Sequence, residues 1–303
     1  MQLQDKYKII QQLGSQKRRK FADVFLVEEI DTKKRFVLKF AALEKHGEVG
    51  VEQLKQEAAF TFSFPGLPLL VEKVVSENEA LLLFEWKNGT TLDVFTKEMR
   101  KKEKITFIKE FTTEIVPIFK FLAKERIVHC DIKESNFLID RKDGQLVVSL
   151  IDFGLAINTH HLPTRKTLFP LGYAAPELLL NQLSLVDQRT DFFSLGIIYW
   201  KMMVGNLPLT HANPSIFTNL QLTHPLPKDG KIPKELFEIL AKMCAKHQFQ
   251  TAPNRMERDK VLECLEEGKS KRYSSIDEIE KDILQLPERR SFLINFFSKS
   301  NSK

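Results

Sequence analysis

The chain has 303 residues, of which 43% are hydrophobic and 28% charged, and 24 are phenylalanine. That is ordinary globular composition with ample core material, so wholesale disorder is excluded. Lysine and arginine exceed aspartate and glutamate by 46 − 40 = 6; this mild bias is scattered over short clusters rather than one aromatic-interleaved stripe, so nucleic-acid binding is not expected.

Short β-branched and aromatic runs at 7–13, 24–30 and 35–40 predict three strands, with a turn at Asp31-Thr-Lys-Lys34. Residues 51–62 read as a helix with Leu54, Ala58 and Phe62 on one face, ended by Pro65 and Gly66. Two further strands are predicted at 71–75 and 80–85, and Lys87-Asn-Gly-Thr90 reads as a hinge. Residues 105–125 form a long amphipathic helix that Pro117 should kink or whose real start it should mark. Residues 127–151 return to short strands, with a tight turn at Lys142-Asp-Gly144. The very apolar stretch 187–204 predicts a buried helix, and 234–246 and 276–286 predict two more. The class is therefore α+β. A small region of five strands and one helix (1–87) precedes a larger, mainly helical region (88–288) and a tail (289–303) expected to pack back on it. A cleft between the two regions is a natural ligand site.

The densest chemistry lies in His129-Cys-Asp-Ile-Lys-Glu-Ser-Asn136, followed by Ile151-Asp-Phe-Gly-Leu-Ala156. Phosphoryl transfer needs a carboxylate beside the attacking hydroxyl and oxygen ligands for Mg²⁺. Asp131 and Asn136 lie on one loop and can face one cleft, and Asp152 follows a neighbouring strand. A carboxylate and an amide oxygen are the hard donors that Mg²⁺ prefers.

These residues resemble the catalytic and metal-binding loops of the eukaryotic-type protein kinase family. Phe36-Val-Leu-Lys39 is similar to the strand carrying that family's nucleotide-anchoring lysine, and Glu57 is placed like its ion-pair partner. Gly172-Tyr-Ala-Ala-Pro-Glu177 resembles the motif closing the activation segment. Asp191-Phe-Phe-Ser-Leu-Gly196 resembles the start of the buried central helix. Arg272 sits where the family pairs an arginine with the closing glutamate. The matches follow the family's order over about residues 7–285. The resemblance implies a bilobal kinase-like fold and transfer of the γ-phosphoryl group of ATP to serine or threonine of a protein substrate. Lys133 and Ser135 are the residues that resemble serine/threonine rather than tyrosine kinases.

It implies roles as well. Asp131 would take the hydroxyl proton, Lys133 would neutralise the transferring phosphoryl group, and Asn136 and Asp152 would hold Mg²⁺. Lys39, held by Glu57, would bind the α- and β-phosphates beneath a loop opened by Gly14. Phe84 would stand beside the adenine as gatekeeper, and the backbone of Glu85 and Lys87 would bond its edge. Val24, Val37 and Leu138 would sandwich the ring, and Asp93 would reach the ribose. His129 would be structural.

The chain departs from the family in places. The glycine pattern counted back from Val24 requires glycine where the chain has Lys17, Arg19 and Ala22, with Gly14 aligned across a three-residue insertion. The cations at 17–20 are expected to compensate by charge or to form a solvated hairpin tip. Cys130 replaces the arginine that contacts a phosphorylated activation-segment residue, so dependence on such phosphorylation should be weak. Accordingly Thr167→Ala is expected to keep most phosphotransfer activity, and a loss of about a hundredfold or more would refute this. Glu134 replaces a frequent proline, a change expected to matter little. Val37 replaces the usual alanine and narrows the adenine slot.

Two other functions stand beside an active kinase. One is a pseudokinase binding or scaffolding module, to which the glycine-poor loop and Cys130 would point. The other is a small-molecule phosphotransferase, which usually lacks the closing motif found here at 172–177. An activator or scaffold protein is expected as a further partner. The opening residues have no apolar targeting stretch, no run reaches the ~20 apolar residues of a membrane span, and three scattered cysteines fit a reducing compartment. A cytoplasmic protein without membrane contact is expected.

Overall fold

Short β-branched and aromatic runs build the first part of the chain. β1 (Tyr7–Leu13), β2 (Asp23–Glu29), β3 (Arg35–Ala42), β4 (Leu70–Val75) and β5 (Glu79–Glu85) form one antiparallel sheet in the order β1-β2-β3-β5-β4. The structure, a computed structural model, describes residues 6–14, 21–163 and 169–287. The cations at 17–20, Thr164, Thr167 and the tail 289–303 lie outside them. One sheet face presents Ala41, Ala80, Leu82 and Phe84 to Val51 and Leu54 of helix α1 (Leu43–Glu57). The opposite face packs Tyr7, Val27, Phe36 and Leu83 together.

Helix α1 corrects the prediction for 51–62. It starts eight residues earlier, at Leu43, and ends at Glu57. Its start is held by the His46 ring, whose Nδ1 accepts from Ala42 N at 3.0 Å, and Gly47 (φ 66°) interrupts it. At the other end Ala59 N and Phe60 N turn back onto Gln56 O and Glu57 O. Phe62 is still buried, but it reaches the core from an extended segment, where apolar periodicity alone misplaced it.

The join to the larger region is tight. Gly89 takes φ 121°, and a Cβ there would stand 2.6 Å from Ile139 O, so backbone lies directly on backbone. Beyond it come β6 (Thr90–Thr91), α2 (Leu92–Thr96) and α3 (Lys101–Lys124). α3 is continuous through Pro117, so of the two expectations for that proline a helix start is the one ruled out. Pro117 and Thr113 are both on the exposed side of the helix.

β7 (Ile127–Val128) pairs with β10 (Ile157–Asn158), and β8 (Phe137–Lys142) with β9 (Gln145–Leu150). The β8–β9 turn has Asp143 at φ 52° and Gly144 at φ 82°, the doubly left-handed pair that suits a two-residue hairpin.

After α4 (Pro176–Leu179), α5 (Gln188–Val204) runs through the core and is buried on nearly every side. It packs against Phe111, Ile115 and Phe119 of α3, and Thr112 Oγ1 meets Tyr199 OH at 2.7 Å. α6 (Pro214–Thr223), α7 (Lys234–Met243), α8 (Arg258–Ser270) and α9 (Ile276–Leu284) complete the helices. α7 stops three residues short of its predicted end, and the carbonyl of Ala245 just past it accepts from Arg272 Nε at 2.8 Å. The α+β class, sheet first and helices after, is as expected.

Candidate active site

The loop 129–136 leaves β7 and is held from beneath by α5. The N-cap of α5 is Asp187, whose Oδ1 accepts from Arg189 N at 2.9 Å. Asp191, one turn further in, faces the loop instead: its carboxylate accepts from His129 N (2.7 Å) and Cys130 N (2.9 Å). Those two bonds hold Cys130 at φ 60°, a conformation that side-chain-bearing residues seldom adopt. Burial pushes the Asp191 carboxyl up to about 7, against the two backbone donors. The Cys130 thiol is buried and its pKa is driven well up by desolvation, which removes the basis for a reactive thiol.

His129 is a strut. Burial pushes its pKa down to about 4, so the ring is neutral near pH 7. Nδ1 accepts from Asp131 N (3.2 Å), which leaves Nε2 to donate to Ile151 O (3.1 Å). The ring packs against Phe153 with centroids 4.6 Å apart.

Asp131 itself is 4% exposed. Its Oδ2 accepts from Lys133 Nζ and from Asn136 Nδ2, the latter at 2.9 Å. Asn136 Nδ2 also reaches Asp131 O at 2.8 Å. Asp131 Oδ1 is buried without a hydrogen-bond partner among the described residues. Burial raises the carboxyl's pKa, while Lys133 and the Asn136 amide oppose the rise. An orphaned buried acceptor is costly in a fold and points to a use.

From the sheet side come Lys39 on β3 and Glu57 at the end of α1. Lys39 Nζ donates to both Glu57 oxygens (2.7 and 2.8 Å) and to Asp152 Oδ1 (3.0 Å). Burial alone would lower the Lys39 pKa, but the carboxylates of Asp152 and Glu57 win and raise it. Burial raises the Glu57 pKa, with Lys39 opposing. Glu57 Oε1 also accepts from Phe153 N (3.2 Å), and Gln56 Nε2 donates to Ala156 O (2.6 Å), so α1 is fastened directly to the 152–156 loop. Asp152 takes φ 74°, and Phe153 is wedged beneath it against Phe62, centroids 4.6 Å apart.

The remaining predicted residues fall around this cluster. Val24 and Val37 are half-buried on β2 and β3, and Leu138 is half-buried on β8. Phe84, on β5 opposite Val37, is buried with Lys39 Nζ 5.5 Å from its ring centre. Glu85 N donates to Leu69 O at 3.0 Å. Lys87 is half-buried next to Gly89. Asp93 is exposed at the start of α2, and Gly14 is exposed with φ 81° at the end of β1.

Below the loop, Glu177 and Arg272 make a doubly bonded pair at 2.7 and 3.0 Å with both side chains 1% exposed. Thr190 Oγ1 adds a bond to Glu177 Oε1 at 2.8 Å. Despite burial, the Arg272 guanidinium holds the Glu177 carboxyl below its ordinary value. The reading of Glu134 as a minor change is corrected. Glu134 is 5% exposed, accepts from Tyr173 OH at 2.7 Å and pairs with Lys201 at 3.0 Å. A charged residue inside the loop motif was the available signal for these contacts.

The protein kinase domain family model matches residues 7–280. The chain belongs to the protein kinase family. It is 30% identical to platelet-derived growth factor receptor beta of Rattus norvegicus over 55% of this chain and 16% of the receptor. Against the probable serine/threonine-protein kinase of Clostridium acetobutylicum the figures are 28% identity, 67% of this chain and 28% of the relative. Against serine/threonine-protein kinase MPS1 of Encephalitozoon cuniculi they are 31%, 54% and 28%. The matched part of the chain thus spans less than a third of each of these relatives' own length. Among the described residues no helix is long and apolar enough to cross a membrane.

Proposed function

We propose that this chain transfers the γ-phosphoryl group of Mg·ATP to serine or threonine hydroxyls of protein substrates. One observation carries the reading: a buried carboxylate, Asp131, has one oxygen fixed by Lys133 and Asn136 and the other without a partner among the described residues. In this reading Oδ1 accepts the hydroxyl proton as the oxygen attacks. Lys133 Nζ, already beside that carboxylate, stabilises the charge on the transferring group. Lys39 holds the α- and β-phosphates, kept charged and aimed by Glu57. The Asn136 amide oxygen and the Asp152 carboxylate are hard donors that suit Mg²⁺, which would neutralise phosphate charge when bound. Phe84, Val24, Val37 and Leu138 enclose the adenine, and the backbone at Glu85 and Lys87 bonds its edge. Lys133 and Ser135, together with the names of two relatives, support serine or threonine as acceptor. Three buried free cysteines support a cytoplasmic setting.

The test is incubation with γ-labelled Mg·ATP and generic acidic and basic proteins, followed by phosphoamino-acid analysis. Phosphoserine or phosphothreonine is expected. Bound nucleotide without transfer would establish the binding-module alternative instead. Lys39→Met should weaken ATP binding by calorimetry roughly tenfold or more, since a charge-assisted contact to phosphate is lost. Unchanged affinity would remove Lys39 from the nucleotide site.

A further inference from the structure

Glu134, Tyr173 and Lys201 come from three separate pieces of the chain. Glu134 opens the single helical turn Glu134–Asn136 of the catalytic loop. Tyr173 lies in the segment that closes at Glu177, and Lys201 is on α5. Their polar atoms form a closed triangle. Tyr173 OH donates to Glu134 Oε2 (2.7 Å), Lys201 Nζ donates to Tyr173 OH (2.7 Å), and Lys201 Nζ pairs with Glu134 Oε1 (3.0 Å). Ser194 Oγ, also on α5, adds a bond to Tyr173 O at 2.9 Å. One anion and one cation cancel, and the phenol hydroxyl both donates and accepts, so the cluster is satisfied without an added charge. The proline frequent at this position in the family could form none of these bonds.

Two consequences follow from the placement. Asn136 lies at the far end of the same turn and is the residue whose amide orients Asp131. Glu134 therefore ties the setting of Asp131 to the position of Tyr173. The segment at 173 is in turn anchored to α5 by side chains already present in the chain. Resting on the proposed phosphotransfer, we infer that Glu134, Tyr173 and Lys201 form a latch that fixes the 169–177 segment to the catalytic loop, with Glu134 a positioning residue for phosphoryl transfer. The segment needs no phosphate to be held there.

Two readouts test this on the full chain, prepared without phosphorylation. The first is hydrogen exchange, which does not require turnover. In Glu134→Ala the amides of 171–175 should exchange about tenfold faster than in the wild type, while those of β3 and β5 keep their protection. The second is kinetic. Glu134→Ala should lower kcat about tenfold or more and leave KM for ATP within about twofold. Tyr173→Phe should lower kcat as well, and the double variant should lose less than the product of the two single losses, because both break the same triangle. Glu134→Gln, which keeps an acceptor for Tyr173, should recover part of the loss. Unchanged exchange at 171–175, or faster exchange everywhere, overturns the latch. Faster exchange there with unchanged kcat overturns the positioning role. A wild type that shows no transfer refutes the proposed activity, and the exchange result still decides whether the latch exists.

Discussion

Asp131→Asn is expected to lower phosphoryl transfer by ~10²–10⁴. The substitution keeps the size and shape of the side chain, so the fold should persist. It removes the charge that Lys133 is paired with and the basicity that a proton acceptor needs. Burial lifts the Asp131 carboxyl above its usual range, and Lys133 and Asn136 restrain that rise. The result is a carboxyl group more basic than one in water. ATP binding should change little, because the Lys39–Glu57 pair lies across the cleft. Initial rates and calorimetric ATP affinity, measured on matched wild-type and variant preparations, check this. Equal rates would show that transfer comes from another protein in the preparation or does not use Asp131.

The largest expected effect on stability is at Arg272. Arg272→Met leaves Glu177 buried, charged and without its main partner. Breaking a buried pair by removing one member costs about 3–5 kcal/mol, and a domain of this size shifts its melting temperature by roughly 10 °C for that loss. Arg272 also bonds Ala245 O and lies 5.0 Å from the Phe193 ring centre, so three neighbouring segments lose an anchor together. Thermal melts followed by circular dichroism would reveal it. A shift under about 2 °C would mean that the pair contributes little beyond its own desolvation. The pair also sets a pH dependence. The folded Glu177 carboxyl titrates below its unfolded value of about 4.3. Its contribution is therefore complete above that pH and is lost as the pH falls through the lower, folded value. The wild-type melting temperature should drop in that acid window, and the gap to Arg272→Met should close there.

Much of this architecture was legible because its signals are local. The five strands follow from short β-branched and aromatic runs, and the β8–β9 turn from Asp-Gly. α5 follows from an apolar stretch too long for a strand. The helix 43–57 was misplaced because its start depends on the His46 ring folding back and its end on Glu57 being pulled toward Lys39, neither of which appears in apolar spacing. α2, α4, α6 and α8 went unassigned. Two of them are a turn or so long, and α6 and α8 bury only a few residues among many exposed ones. In the site, residue types and order were enough to nominate Lys39, Glu57, Asp131, Asn136 and Asp152. The loop's support was partly hidden. Asp191 stands out as part of a motif, but only tertiary packing sends its carboxylate to two backbone amides. The contacts of Glu134 were not foreseeable because its partners are 39 and 67 residues away in sequence.

The pinning of His129 and Cys130 by Asp191 has a bearing on how such a chain can drift. The loop that holds Asp131 takes its shape from α5, deep in the helical region, whereas Lys39 and Glu57 take theirs from the sheet and the helix α1 packed on it. Under the proposed function, sequence change in the sheet should retune how tightly nucleotide is captured, and change around α5 should retune how fast it is used. The two halves meet at Asp152, which Lys39 touches directly, and at the Phe153 and Ala156 backbone, which α1 fastens. That short stretch is where the two kinds of change cannot be made independently.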